Sequence, residues 1–217
     1  MFRNVTSGLI MDVQLRNLIA KQNIIDEETC DSIVEKSKDW NWMKHQWYSH
    51  QDQVSHTHEE KELDVVYPND IPSYVHNTYM MHINQVWKEY MQILPELLQH
   101  GFNANAEEST EMNPFNMIKY WTSCRMNRYS EGTCMRPHYD HIHSIFEGEK
   151  RGIPILSVIG CLSDPSDYDG GQLIFWDDFE VEMEKGDIIL FPSNYLYPHQ
   201  VKEVTRGERH TFVSWGF

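Results

Sequence analysis

The stretch IPILSVIGCLS, Ile153–Ser163, is a near-continuous apolar run. A run of this length bounded by turn residues reads as a strand buried on both faces. Downstream, Asp169-Gly170-Gly171 marks a turn into Gln172–Trp176, and Lys185-Gly186-Asp187 marks another. Between and beyond these turns, Val181–Met183, Asp187–Phe191, Gln200–Val204 and Arg209–Phe217 read as further strands. Upstream, Phe115–Tyr129 is aromatic-rich and β-like, and Thr133–His143 is a second candidate. About eight short strands with Gly and Pro turns predict a sandwich or barrel, and a jelly roll is the natural eight-strand solution.

The texture before residue 113 is different, and residues 1–100 read as mostly helical. Asp26 is a plausible N-cap for EETCDSIVEKSKDW, with acidic residues in the first turn and an apolar stripe at Cys30, Ile33 and Val34. Ser73–His100 is the stronger helix: Tyr79, Ile83, Val86, Trp87, Tyr90, Leu94 and Leu97 recur at three and four. Pro95 predicts a kink or break near Leu94. Residues 44–70 are polar and His-rich, punctuated by Tyr67-Pro68-Asn69-Asp70, and read as a long loop with at most short strand pieces. The expected organisation is a single domain over 1–217, in which a mostly helical part, 1–112, packs on a β core, 113–217.

Composition narrows the function classes. The 217 residues are 40% hydrophobic and 12% aromatic, which suits a globular chain rather than a disordered one. Eighteen basic against 33 acidic residues give a formal charge of −15, a field that repels phosphate backbones and disfavours nucleic-acid binding. The apolar Gly8-Leu9-Ile10-Met11 is broken by Asp12, Gln14 and Arg16, so neither a signal peptide nor a membrane span is expected. Cys30, Cys124, Cys134 and Cys161 are scattered, and read as reduced, mostly buried thiols of a cytoplasmic protein.

One constellation carries chemistry. His138-Tyr139-Asp140 is followed by His199 and, ten residues later, by Arg209. On a regular strand His138 and Asp140 share a face, while His141 and His143 take the other and are excluded as ligands. A His-x-Asp pair and a distant His form the two-His-one-carboxylate facial triad, which suits Fe(II), with Mn or Zn as alternatives, and leaves positions open. A guanidinium on the next strand suggests an anionic co-substrate.

In these residues the C-terminal half resembles the 2-oxoglutarate/Fe(II)-dependent dioxygenases of the prolyl 4-hydroxylase-like group. That family's pattern is a Tyr, a Gly three residues on, a His-x-Asp, a later His, a basic residue ten further and a Trp six beyond that. Here they are Tyr129 and Gly132, His138 and Asp140, His199, Arg209 and Trp215. LSDPSDYDGGQL (Leu162–Leu173) and VTRGER (Val204–Arg209) look especially like the PKHD-type hydroxylases of this group. The resemblance covers roughly residues 113–217. It implies a double-stranded β-helix (jelly-roll, cupin-like) core with supporting helices. It also implies Fe(II) on His138, Asp140 and His199, and a 2-oxoglutarate whose far carboxylate meets Arg209 and the Tyr129 hydroxyl. Molecular oxygen is the further co-substrate, and the resemblance leaves room for ascorbate. The reaction implied is hydroxylation of an unactivated C–H bond, with a peptidyl proline the family's first candidate and 2-oxoglutarate decarboxylated to succinate.

Arg206 competes for the co-substrate, but its spacing from His199 is seven, and Arg206-Gly207 reads as a turn where Arg209 begins a strand. By alternation Arg125 and Asn127 share a face with Tyr129, so Arg125 either lines the cavity or the strand bulges. The other histidines have blander readings. His45, His50, His56 and His58 read as a solvated loop, and His76, His82 and His100 as ordinary helix residues. Trp40, Trp42, Trp47 and Trp87 read as core, although two of them could wall a substrate groove, and Glu59-Glu60-Lys61-Glu62 reads as solvated. The competing functions are a hydroxylase of a free amino acid or small metabolite, and a non-catalytic metal-binding jelly-roll module. Nucleobase demethylation is disfavoured by the acidic charge. Residues 44–70 and 143–152 are long enough to be lids over substrate, with Ser144–Gly152 the better placed.

Overall fold

The structure, a computed structural model, describes residues 15–49, 54–57, 60–98, 118–140 and 153–217. Its centre is the apolar run. Strand β8, Leu156–Cys161, is buried at every position. It lies antiparallel between β12 (Asp187–Pro192) and β14 (Val204–Gly216). Alternation explains why both faces are apolar. Leu156 and Val158, with Ile188 and Leu190 of β12, face one hydrophobic cluster, while Ile159 and Cys161, with Ile189 and Phe191, face another.

The larger sheet runs β1 (Ala20–Asn23), β12, β8, β14, β6 (Arg125–Ser130), β5 (Asp64–Val66), β2 (Met43–Lys44), and β9 (Tyr168–Gly170) pairs with β14. A four-stranded sheet has the order β11 (Phe179–Val181), β10 (Leu173–Phe175), β13 (His199–Val201), β7 (Met135–His138). A short hairpin joins β3 (Trp47–Ser49) to β4 (Val54–His56). Strand neighbours are distant in sequence, as a jelly roll requires, and the expected fold class is the one observed.

The helices cover the outer face of the larger sheet. Helix α1, Glu27–Ser37, starts where Asp26 accepts the Thr29 backbone N–H at 2.8 Å, and it buries Cys30 and Ile33. Helix α2, Ser73–Leu98, buries Tyr79, Ile83, Val86, Trp87, Tyr90 and Met91 at helical spacing against Phe212, Leu190 and Val158. The Tyr79 ring stacks on Phe212 with centroids 3.9 Å apart.

Several expected boundaries move. Helix predominates among the described residues of the first half, but five short strands also lie in it, and β1, β2 and β5 extend the larger sheet. They are two to four residues long, too short to show a period. The break expected near Leu94 does not occur, and α2 ends three residues beyond Pro95. The expected strand Phe115–Tyr129 shrinks to Arg125–Ser130, preceded among the described residues by a single bridge, Trp121 to Gly216. Strand β7 stops at His138, short of Asp140. Strand β14 starts at Val204, so Arg209 lies within it rather than at its start. The stretch 143–152, with His141 and His143, lies outside the described residues, as do His50, His58 and His100. No helix among the described residues is long and apolar enough to cross a membrane. The four cysteines are free, and Cys30, Cys124 and Cys161 are buried.

Candidate active site

Strands β7 and β13 are neighbours, and His138 and His199 are direct partners in their register. Their rings lie 4.3 Å apart between centroids. Each ring is oriented from behind: Nδ1 of His138 lies 2.8 Å from the Arg136 carbonyl, and Nδ1 of His199 lies 3.1 Å from the Tyr197 carbonyl. A carbonyl can only accept, so both Nδ1 atoms carry a proton, which leaves each Nε2 as the position available for ligation. Those Nε2 atoms lie 3.5 and 3.9 Å from the two carboxylate oxygens of Asp140. Among the described residues these three are the group of His, Cys, Asp or Glu side chains that could hold a metal, with ligand atoms within 4.8 Å of one another.

Asp140 comes to this point by a different route from the one the sequence suggests. It follows the end of β7 in a bend, so strand parity does not aim it. Its aim comes from the opposite sheet. Ser157 of β8 donates its hydroxyl proton to Asp140 Oδ2 at 2.6 Å, and the Ser193 hydroxyl lies 2.7 Å from that of Ser157. Because Ser157 spends its one proton on Asp140, Ser193 must donate to Ser157. Both serines are 1% exposed. Sequence reasoning did not single them out, although a serine inside the all-apolar β8 run was a signal.

The electrostatics suit metal ligation. Burial pushes the His199 imidazole down to about 4, and the neighbouring His138 adds to this, so His199 is neutral at neutral pH. Burial alone would raise Asp140, but His199, His138 and the Ser157 hydrogen bond outweigh it and hold the carboxyl well below the usual range. Asp140 is therefore an anion facing two imidazole nitrogens, the donor set of a facial triad.

Arg209 lies on β14 directly opposite Tyr129 of β6. It is 1% exposed. Its Nε and Nη1 have no hydrogen-bond partner, while its Nη2 donates to Met183 Sδ at 3.8 Å and the Tyr168 hydroxyl lies beside the group. The guanidinium carbon sits 5.4 Å from the centre of the Tyr129 ring. A buried cation without an anion is costly, and the planar fork it presents matches a carboxylate. The residues present thus fit both halves of an iron and 2-oxoglutarate site. Tyr129 is buried too, and burial raises its phenol, so it stays protonated and able to donate. Arg206, the competitor, is exposed and holds Asp169 by two hydrogen bonds of 2.6 and 3.1 Å.

Two readings of the 44–70 region need correction. His45 is not in a solvated loop: its Nδ1 lies 3.0 Å from Glu62 Oε1, and Glu62 is 5% exposed. His56 stacks on Trp47 at 4.7 Å, with the Arg136 guanidinium 5.1 Å from the Trp47 ring. Trp87 is core, as expected, and Trp40 and Trp42 pack against it.

Residues 124–217 match the family model of the 2OG-Fe(II) oxygenase superfamily. The match covers less than half of the chain and leaves residues 1–123 outside it. Over 93 residues the chain is 37% identical to a PKHD-type hydroxylase of Pseudomonas aeruginosa, an overlap of 41% of this chain and 40% of that protein. The chain thus spans well under half the length of the curated relatives it matches. Among solved structures, it is similar to a prolyl hydroxylase of Trichoplax adhaerens in complex with a hypoxia inducible factor peptide fragment, with a TM-score of 0.56 and 15% identity over 93% of this chain and 84% of that one. It is also similar to a prolyl-4-hydroxylase of Pseudomonas putida, with a TM-score of 0.53 and 16% identity over 92% of both chains. At these identities the likeness establishes a shared fold, and it extends over the N-terminal strands and helices that the family model leaves out.

Proposed function

We propose that the chain is a 2-oxoglutarate- and Fe(II)-dependent dioxygenase that hydroxylates an unactivated C–H bond of a peptidyl residue, with proline the first candidate. The observation that carries this reading is the buried guanidinium of Arg209, whose Nε and Nη1 have no hydrogen-bond partner, in the same two-sheet interior as the convergent His138, Asp140 and His199. A structural metal site would need the three ligands but not the cation.

In this reading His138, Asp140 and His199 hold Fe(II), Arg209 takes the far carboxylate of 2-oxoglutarate, and Tyr129 adds a hydrogen bond to it. When bound, iron and 2-oxoglutarate supply the oxidative chemistry, in which succinate and carbon dioxide form as the C–H bond is hydroxylated. The chain's own residues position and desolvate. The Arg136 and Tyr197 carbonyls fix the histidine tautomers, and Ser157 and Ser193 lock the carboxylate rotamer. Phe175 packs tilted against His199 at 5.4 Å and Phe191 packs edge-on at 5.0 Å, and together they keep water from its far side. The Trichoplax neighbour holds a peptide, and that supports a peptide as the substrate here. Free thiols support a reducing compartment.

The test is turnover. Anaerobically purified protein given Fe(II), oxygen and labelled 2-oxoglutarate should form labelled succinate, and His199→Ala should abolish it. Succinate formation that is independent of iron, or unchanged in His199→Ala, refutes the proposal.

A further inference from the structure

Strand β6 carries a second cation, Arg125, that the iron and 2-oxoglutarate reading does not use. Arg125 opens β6, and β6 pairs with β14 without a bulge from Arg125↔Val213 to Ser130↔Glu208. Alternation therefore holds, and Arg125, Asn127 and Tyr129 point to one side. Arg125 stands four residues from Tyr129, about 13 Å along the strand, and so on the side of the site away from Arg209. Its guanidinium carbon lies 5.5 Å from the centre of the Trp215 ring. Its Nε donates to Oδ1 of Asn127 at 3.0 Å, and Asn127 is itself 1% exposed. Trp215 is the register partner of Ser157, the residue that holds Asp140, so the guanidinium stacked on Trp215 lies on the triad side of the sheet.

The head is held but not neutralised. Among the described residues no carboxylate lies within ion-pair distance of Arg125. Glu62 is occupied by His45 at 3.0 Å, and Asp140 is committed to the metal position and Ser157. The aromatic ring takes one face of the guanidinium and Asn127 takes its inner edge. Among the described residues the two Nη groups of the outer edge have no hydrogen-bond partner, and Arg125 is only half-buried. A half-buried, stacked and braced guanidinium with a free fork is the arrangement that takes a carboxylate by two parallel charge-assisted bonds. A neutral carbonyl would not repay the desolvated charge. The overall charge of −15 does not draw anions to this mouth, so selection must be local.

We propose that Arg125, stacked on Trp215 and braced by Asn127, is the substrate-recognition residue of this site, and that it selects substrates bearing a carboxylate close to the carbon that is hydroxylated. This inference rests on the reading of the triad and Arg209 given above. The carboxylate has two possible sources, an acidic side chain within a peptide or a terminal α-carboxylate, and both present the same chemistry to the fork.

The experiment uses the full chain loaded with Mn(II) and 2-oxoglutarate without oxygen, and reads paramagnetic broadening of probe resonances by NMR. The probes are N-acetyl amino acids and the same set as amides. N-acetyl-aspartate and N-acetyl-glutamate α-amides separate a side-chain carboxylate from an α-carboxylate. Carboxylate probes should be broadened at concentrations about tenfold lower than their amides, Arg125→Gln should erase that difference, and Arg125→Lys should keep part of it. Arg125→Gln should bind 2-oxoglutarate as the parent does. Equal broadening of acids and amides, no broadening by either, or an acid preference that survives Arg125→Gln overturns the assignment, and so does a loss of 2-oxoglutarate affinity in that variant. Failure of the parent protein to take up Mn(II) and 2-oxoglutarate is a separate result, which overturns the site reading and this inference with it.

Discussion

Arg209 and Arg206 are three residues apart on one strand, and their surroundings assign them opposite roles. Arg206 is paired in solvent with Asp169, whereas Arg209 is buried with two nitrogens unpartnered. Arg209→Ala should therefore weaken 2-oxoglutarate binding by about 2–5 kcal/mol, the usual cost of removing one partner of a buried charge pair, and leave Mn(II) binding intact. Arg206→Ala should change neither, and calorimetric titration of both ligands separates the two. Tyr129→Phe removes one neutral hydrogen bond and should cost only about 1 kcal/mol of 2-oxoglutarate affinity. His210 makes a prediction about stability. It is 7% exposed, and burial pushes its imidazole down to about 4 despite the partial compensation from Glu208. A folded pKa below the unfolded value of about 6.5 means that the unfolded chain binds the proton more readily. The contribution of neutral His210 is thus complete above about pH 6.5 and is lost as pH falls toward 4. In His210→Asn, urea midpoints measured across that window should fall less steeply with pH than in the parent. An unchanged slope would show that His210 is not the titrating group.

Strand β8 shows how one element serves both core and site. Its odd positions carry Ser157, which aims Asp140, and Ile159, while its even positions face α2. Gly160 lies opposite Phe212 of β14, where a methyl group would enter the Phe212 ring, which is itself pinned by Tyr79. Gly160→Ala should cost about 1–3 kcal/mol of stability through overpacking, and Phe212→Leu in the same chain should recover part of it. Denaturant midpoints of the single and double variants measure the coupling, and strictly additive losses would place the strain elsewhere. The β8 run was legible in the sequence because burial on both faces leaves an apolar stretch with no period to misread. β1, β2 and β5 were not, since two to four residues of mixed polarity carry no pattern until a neighbouring strand supplies the hydrogen bonds. The same division runs through the site. His138, Asp140, His199 and Arg209 were legible because spacing encodes them. Ser157, Ser193 and the His45–Glu62 pair were not, because they become neighbours only when the two sheets and β5 come together.

At the scale of the molecule, the triad is a product of folding. His138 and Asp140 lie about sixty residues from His199, and register across β7 and β13 joins them only after β13 has paired. The aiming hydroxyls come from β8 and the end of β12, so the site draws on both sheets. An unfolded chain has no such site, and any metal held there binds the native state alone. At a free metal concentration of about 100 times Kd, Mn(II) should then add about 2.7 kcal/mol. For a chain of this size that is a rise of roughly 5–10 °C in melting temperature. The linkage should be graded by residue. His199→Ala should abolish the metal-dependent rise. Ser157→Ala should keep the rise but move it to higher Mn(II) concentrations, because Asp140 keeps its charge and loses only its aim. A second rise on adding 2-oxoglutarate should appear in the parent and be strongly reduced in Arg209→Ala, since the metal is still present but the buried cation is gone. Thermal melts of the four proteins across a Mn(II) series decide this. A metal-dependent rise that persists in His199→Ala would place the metal outside the triad and remove the structural basis of the proposed activity.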